Sequence, residues 1–379
     1  MKSSAPQLLS TPWRTPLLSV ELPPVTSSAP HTAVLIGRFQ PFHNGHLALL
    51  QQALGRAQQV VVVLGSAFQA RSPKNPFTWQ ERQALILGSL PAGDAARVRC
   101  VPVRDYYDEP RWVQAVTAAV QSQVPAGERI ALVGHFKDAS SSYLARFPGW
   151  ELLSLPRQGD FDGTPARALY WNLQTQAPTQ NWAPLDACLP PATAAWLRQW
   201  QTTSDYAAMC AEWRMLAGYQ AAWASAPYPP VFVTVDGLLV CNAHVLLIQR
   251  GHAPGKGLWA LPGGFVEPHD TLWQSCLREL TEETGLPLPP SAMRDAWQGT
   301  EVFDHPDRSL RGRTITHVFA FHLPGTQLPP VQGGDDAAVA RWVPLHHLAA
   351  MESQMFEDHF HVLRHCFARF GNGPVPALP

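Results

Sequence analysis

Several features that would assign a chain of 379 residues to a class at once are missing from this one. Cysteine is sparse, and Cys100, Cys188, Cys210, Cys241, Cys276 and Cys366 are scattered with no CxxC pair among them. That spacing argues against a zinc knuckle and a disulfide framework, and it fits a reducing cytoplasm. No charge of one sign dominates: 28 Lys and Arg stand against 29 Asp and Glu. No wholesale attraction to nucleic acid or to an anionic membrane is therefore expected. No apolar run approaches the ~20 residues needed to span a bilayer. The first 30 residues, rich in Ser, Pro and Thr, lack the apolar stretch and small-residue cleavage site of a secretion signal, so they read as a disordered tail. The composition thus leaves a cytoplasmic chain for which no nucleic-acid or membrane partner is expected; a homo-oligomer stays open.

The length calls for two or three cores rather than one. The 37 prolines fall largely between elements, at 228–230 and 287–290 for example, and punctuate loops. From Thr32 the chain alternates short apolar strands with helices. "TAVLIG", "VVVVLG" (60–65), "RVRCVPV" (97–103), "RIALVGH" (129–135) and "WELLSLP" (150–156) are the strands; "GHLALLQQALGRAQ" and "WVQAVTAAVQSQV" (112–124) are the helices. This pattern predicts βαβ units and a doubly wound parallel sheet of Rossmann type over residues 31–175, with ligands beyond the carboxyl ends of its strands. Over 176–227 the texture turns to Trp, Ala, Gln and Leu at helical spacing, including Trp196, Trp200, Trp213 and Trp223. It reads as a helical connector whose Trp stripe serves packing. Residues 228–372 show strands, one helix and more strands, an α+β domain.

Two stretches carry chemistry. The first is "GRFQPFHNGH", from Gly37 to His46, where the first strand hands over to a helix. Gly37 and Gly45 let the backbone approach a ligand, and a helix N-terminus offers N–H groups with partial positive charge. His43 and His46 placed there can donate to phosphate oxygens whose charge grows in a transition state. Read without its context, the pair is a polar helix start.

The context resembles the nucleotidylyltransferase superfamily, and more closely the nicotinamide mononucleotide (NMN) adenylyltransferases of archaeal type. "NPFTWQER" (75–82), "RDYYDEPRWV" (104–113) and "GTPARALYW" (163–171) follow in that family's order. The last keeps a Thr-x-x-Arg spacing at Thr164 and Arg167 but lacks the family's upstream Ile-Ser. The resemblance implies catalytic roles for His43, His46 and Arg167. It also implies nucleotide or acceptor contacts at Gly37, Arg38, Phe39, Gly45, Asn75, Asp105, Trp112, Lys137 and Thr164, with Trp112 stacked on the pyridine ring. The implied reaction joins NMN to the α-phosphate of ATP, giving NAD and pyrophosphate, with Mg²⁺.

The second stretch is "GGFVEPHDTLWQSCLRELTEETGL". On a helix, Leu272, Trp273, Cys276, Leu277 and Leu280 form one apolar face, and Glu279, Glu282 and Glu283 cluster along its edge within about 100° of arc. Three carboxylates near a helix C-terminus repel one another and oppose the macrodipole; a hard divalent cation would relieve them. A solvated acidic face is the plain alternative, but it leaves the Gly263-Gly264 pair and the helix-ending Gly285 unexplained. Gly264, Arg278, Glu279, Leu280, Glu282, Glu283, Gly285 and Leu286 fall in register with the Nudix signature, which this stretch resembles; Asp270 stands where the signature has Glu. The resemblance implies Mg²⁺ or Mn²⁺ held by Glu279, Glu282 and Glu283, a weaker metal role for Asp270, and catalytic roles for Arg278 and Glu282. "VFDHPDRSLRGRTITHVF", "GGDDAAVARWVPL" and "MFEDH" resemble the ADP-ribose pyrophosphatase branch, with Arg311 and Arg313 on phosphates. Asp335-Asp336 read equally well as a turn, and His305, His346 and His347 show no metal-ligand pattern.

From Thr32 to about Phe370 the chain thus resembles the bifunctional NMN adenylyltransferase/Nudix hydrolases, with ATP, NMN and ADP-ribose as implied partners. Two alternatives stay open: nucleotidyl transfer to another acceptor, and a Nudix half that senses a nucleotide without hydrolysing it.

Overall fold

The computed structural model describes residues 30–134, 146–156, 159, 161–173, 181–371 and 378. Residues 1–29 of the N-terminal tail and residues 135–145, Lys137 among them, lie outside the described residues.

In the first half, β1 (Thr32–Gly37), β2 (Gln59–Leu64), β3 (Val98–Pro102), β4 (Ile130–Gly134) and β5 (Glu151–Ser154) form a parallel sheet in the order β3-β2-β1-β4-β5. The strands β1, β2 and β4 are almost wholly buried because both faces are covered. This is why they read as continuous apolar runs rather than alternating ones. Helices α1 (Asn44–Leu54) and α2 (Trp79–Gly88) cover one face through Leu50, Ala53, Leu54, Leu85 and Ile86. Beyond the four-residue α3 (Ala92–Ala95), α4 (Glu109–Gln121) covers the other face through Val116 and Val120. The order reverses between β1 and β4, so the crevice where a doubly wound sheet binds its ligand lies at the end of β1.

Helices α5 (Gly163–Asn172), α6 (Ala183–Cys188), α7 (Pro191–Trp200) and α8 (Ser204–Ala222) follow. Residues of the expected connector share one apolar cluster with Phe77, Ala166, Tyr170 and Trp171, so its helices pack onto the first half rather than stand apart. The Trp stripe does serve packing in part: Trp200 is buried there, with Trp196 and Trp213 against it, whereas Trp223 is exposed.

The second half contains β6 (Val231–Cys241), β7 (His244–Arg250), β8 (Trp259–Ala260), β9 (Gly263–Phe265), β10 (Trp297–Phe303), β11 (Arg313–Leu323) and β12 (Ala337–Pro344). They form a mixed sheet in which β6 and β11 run parallel and the other pairs antiparallel. Helix α9 (Leu272–Thr284) packs on one face through Cys276 and Leu280. After α10 (Pro290–Ala296), α11 (His359–Phe370) packs on the other through Phe360, Leu363 and Phe367. The sequence pattern predicts one helix here, and α10 and α11 go beyond it. α10 is only seven residues long, and α11 is rich in His and Phe, residues of middling helix propensity, so tertiary burial rather than local preference holds it.

Candidate active sites

The first site is assembled at the end of β1. His43 caps α1 and His46 occupies its third position. Each ring accepts the other residue's backbone N–H at Nδ1, both at 3.4 Å, and the rings stack with centroids 3.6 Å apart. The helix-start role and a ligand-binding role are therefore compatible. With Nδ1 accepting on both rings, the neutral tautomer carries its proton on Nε2. Gly45 sits in a close fit: a Cβ there would lie 3.2 Å from His43 Nδ1 and 3.3 Å from Phe161.

Phe39 differs from expectation. Its ring is 4 % exposed and turned inward, and a Cβ on Gly37 would sit 2.9 Å from it. It meets His46 edge-on at 4.8 Å and so supports the imidazole; no face is left for a nucleotide. The physical reason is its backbone φ of 50°, which swings the side chain back under β1.

Arg167 comes from α5 and donates to Gln40 O at 2.6 Å and to Thr164 Oγ1 at 3.0 Å. Burial, together with the neighbouring Arg38 guanidinium, lowers its pKa to about 10. Lys74 joins the same group. Its pKa is lowered by burial, with Arg38 and Arg167 adding to the effect and Asp307 opposing it. An excess of positive charge beside two imidazoles suits a polyphosphate. Asn75 and Trp112 line the same cavity as Gly37 and Arg38. The Asn75 Oδ1 is buried with no hydrogen-bond partner among the described residues, an acceptor a bound group could use. Asp105 lines the cavity and also braces it, accepting from Ser66 N (3.1 Å), Ser66 Oγ (2.5 Å) and Gln69 Nε2 (3.2 Å).

Reading the sequence missed Arg82. It is fully buried and donates to Arg38 O and Gly65 O, each at 2.7 Å, joining the ends of β1 and β2. Gln40 adds two buried hydrogen bonds to the backbone of Phe77, at 2.8 and 3.0 Å. Arg82→Met leaves these carbonyls unsatisfied and is expected to cost about 2–4 kcal/mol, measured by denaturant unfolding of the full chain.

The second site is built on α9. Thr271 and Gln274 close a capping box at its start, and Gly285 ends it in the left-handed conformation at φ 59°. Arg278 gathers the carboxylates, with Nη2 on Glu279 Oε1 at 2.9 Å, Nη1 on Glu282 Oε2 at 2.7 Å and Nε on Asp270 Oδ2 at 3.4 Å. Asp270 therefore reaches Arg278 despite being one methylene shorter than the signature's Glu, and Ser275 Oγ also donates to it at 3.2 Å. It shares Arg278 with Glu279 and Glu282, so the salt bridge expected of the shorter carboxylate forms.

Glu283 is 3 % exposed and accepts from Gly263 N at 2.8 Å. Burial, with the neighbouring Glu279 carboxylate, pushes it up to about 8. Glu279 is also raised, by burial and then by Glu282 and Asp335 against the pull of Arg278. Among the described residues no three such side chains converge as a ready-made metal cage, and Arg278 and Gly263 N hold oxygens of the three glutamates. The donor set is nonetheless all carboxylate oxygen, and two buried like charges side by side are what a hard divalent cation relieves. Gly264 is the cradle. A Cβ there would fall 2.5 Å from Glu279 Oε1, so Gly264→Ala is expected to lower hydrolysis ~10-fold or more and leave nucleotidyl transfer unchanged in paired assays.

Arg311 packs over the Phe265 ring at 5.0 Å, and Arg250, absent from the sequence reading, over Phe356 at 4.4 Å. The two are close enough that Arg311, after burial, lowers the pKa of Arg250. Arg313 departs from expectation: its guanidinium turns to Asp304, donating to that backbone carbonyl, with Oδ2 at 3.8 Å. The Asp335-Asp336 pair is a turn, with Asp335 at φ 48°. His305 stacks on Tyr107, and His346 and His347 pack against each other.

Comparison with known proteins assigns both halves. A NUDIX domain model matches residues 231–366, and a cytidylyltransferase-like model matches residues 34–94. A nicotinamide/nicotinic acid mononucleotide adenylyltransferase of Acinetobacter baylyi is 36% identical over 174 residues, 46% of this chain and 88% of that protein. An ADP-ribose pyrophosphatase of Methanocaldococcus jannaschii is 37% identical over 142 residues, 37% of this chain and 75% of that protein. A crystal structure of a bifunctional NMN adenylyltransferase/ADP-ribose pyrophosphatase of Francisella tularensis, complexed with AMP and a manganese ion, is 34% identical. It covers 90% of this chain and all of that one, with a TM-score of 0.82. The chain belongs to this bifunctional family. The His43–His46 site lies in its adenylyltransferase half, and the α9 carboxylates lie in its Nudix half.

Proposed function

We propose that the first half transfers the adenylyl group of ATP to NMN, giving NAD and pyrophosphate, and that the second half hydrolyses ADP-ribose to AMP and ribose 5-phosphate. The observation that carries the reading is the pairing of two sites in one chain. One joins two stacked imidazoles at the start of α1 with a cavity at the end of β1 that Arg38, Lys74 and the Trp112 indole line; the other is a carboxylate helix edge gathered by one arginine.

In the first reaction an NMN phosphate oxygen forms a bond to the α-phosphorus while the bond to the β-phosphate bridging oxygen breaks. The chain's residues supply placement and charge neutralisation rather than a nucleophile. His43 and His46 donate from Nε2 to the transferring phosphate, Arg38, Lys74 and Arg167 hold the polyphosphate, and Trp112 stacks on the pyridine ring. Mg²⁺ in this half would be carried by the nucleotide's phosphates and would add to their charge neutralisation.

In the Nudix half Glu279, Glu282 and Glu283 hold Mg²⁺ or Mn²⁺, which supplies the Lewis acidity that makes water a nucleophile near neutral pH. Arg278 aims Glu279 and Glu282, Gly264 leaves Glu279 room, and Arg250 with Arg311 grips the substrate's diphosphate. The reactants are small molecules. Among the described residues no helix is long and apolar enough to cross a membrane, in keeping with a cytoplasmic site of action.

The test is two assays on the full chain. Incubation with ATP, NMN and Mg²⁺ is expected to yield NAD and pyrophosphate in equal amounts. Incubation with ADP-ribose and Mg²⁺ or Mn²⁺ is expected to yield AMP. Turnover of phosphopantetheine in preference to NMN would replace the first assignment, and absence of AMP would make the Nudix half a sensor.

A further inference from the structure

The cavity that begins at Gly37 and Arg38 and passes Trp112 does not end within the adenylyltransferase half. It holds about 730 Å³ and its far wall is made by Arg308, Asp358, His361 and Arg364 of the Nudix half. A volume of this size is ordinary for a nucleotide-sized ligand.

The segment 103–108 between β3 and α4 shows how the wall is joined. It carries Asp105 and leads directly into the helix bearing Trp112. The Nudix half grips it at Arg104, Tyr106 and Tyr107. Arg104 Nε lies 2.5 Å from Glu352 Oε2, both largely buried. Tyr106 carries the Arg364 guanidinium over its ring at 4.6 Å, with Arg111 of its own half at 4.8 Å. Tyr107 lies flat on His305, with centroids 4.3 Å apart at 9°, meets His361 edge-on at 4.3 Å, and donates from its hydroxyl to Asp358 Oδ2 at 3.3 Å. Asp358 is not adjustable, since the buried Arg308 holds both its oxygens, at 3.0 and 2.9 Å. A simple domain seam would bury apolar surface at any convenient place. Here Glu352, Asp358, His361 and Arg364 fall on the loop that carries Asp105 and leads to Trp112, and they line the same cavity.

We infer that the Nudix half completes the NMN-binding end of the adenylyltransferase site, with Tyr107, clamped by His305, His361 and Asp358, as a positioning residue for Trp112. The inference rests on the adenylyltransferase reading proposed above. Its consequence is selective: the clamp sets affinity for NMN, while ATP, bound near His43, His46 and Arg167, does not depend on it.

The test uses the full chain carrying His305→Ala and His361→Ala together, with initial rates measured against each substrate in turn. Removing both aromatic partners of Tyr107 is expected to raise KM for NMN roughly 10-fold. KM for ATP, kcat and ADP-ribose hydrolysis are expected to stay within about 2-fold, within the scatter of near-neutral surface changes. His305→Phe, which restores a flat ring against Tyr107, is expected to keep KM for NMN near the wild-type value. If the double variant does not fold, His305→Ala alone carries the test, with an expected rise of roughly 3-fold. An unchanged KM for NMN would overturn the inference, as would an equal rise in KM for both substrates. Failure of the wild type to make NAD at all would instead remove the underlying assignment, so the two failures are distinguishable.

Discussion

His46→Ala is expected to lower kcat for NAD formation by ~10²–10³-fold, the scale of losing one preorganised donor to a developing charge, while ADP-ribose hydrolysis continues at the wild-type rate. The structure gives His46 two jobs that this substitution removes together. Its Nδ1 accepts the His43 N–H and completes a reciprocal cap on α1, and in the proposed reaction its Nε2–H donates to phosphate. Loss of the cap alone costs about 0.5–2 kcal/mol of stability and would tilt the His43 ring stacked on it at 3.6 Å. His46→Gln separates the two jobs, because glutamine at the third helical position can still reach back to the capping backbone. We expect the Gln variant to recover the melting temperature of the wild type without recovering kcat. Recovery of turnover as well would reduce His46 to a helix cap.

Glu282→Gln is expected to abolish most ADP-ribose hydrolysis, by ~10²-fold or more, since altering even a partner one layer out from a metal costs 10–100-fold. Glu282 is the most exposed of the three glutamates, with its side chain 43% accessible, so its loss leaves the packing of α9 intact. Arg278 would keep Glu279 at 2.9 Å and Asp270 at 3.4 Å. Stability should therefore change by no more than about 0.5 kcal/mol, and NAD formation should be unaffected. The measurement is AMP release at saturating Mg²⁺ or Mn²⁺, with metal affinity followed by calorimetry. Full hydrolysis with unchanged metal affinity would remove Glu282 from the metal set and leave it as a partner of Arg278.

Much of both sites was legible along the chain because the features that matter are local. The strand-to-helix passage at Gly37–His46 and the spacing of Glu279, Glu282 and Glu283 depend on residues a few positions apart, so period and turn chemistry disclose them. The Gly264–Glu279 approach is part of the same short stretch, and the left-handed Gly285 follows from where the apolar face ends.

What the sequence by itself determined is the parallel sheet and the two chemistries, since each follows from residues close in the chain. Only the tertiary structure decided the rest. It turned Phe39 inward and Arg313 toward Asp304, tied Asp270 to Arg278, and buried Arg82 beneath two backbone carbonyls. It also set Arg104 against Glu352 and Tyr107 against Asp358 across separations of 248 and 251 residues. Pairings of that kind leave no periodic trace. They come from burying two apolar surfaces together and then satisfying whatever polar groups that burial has stranded.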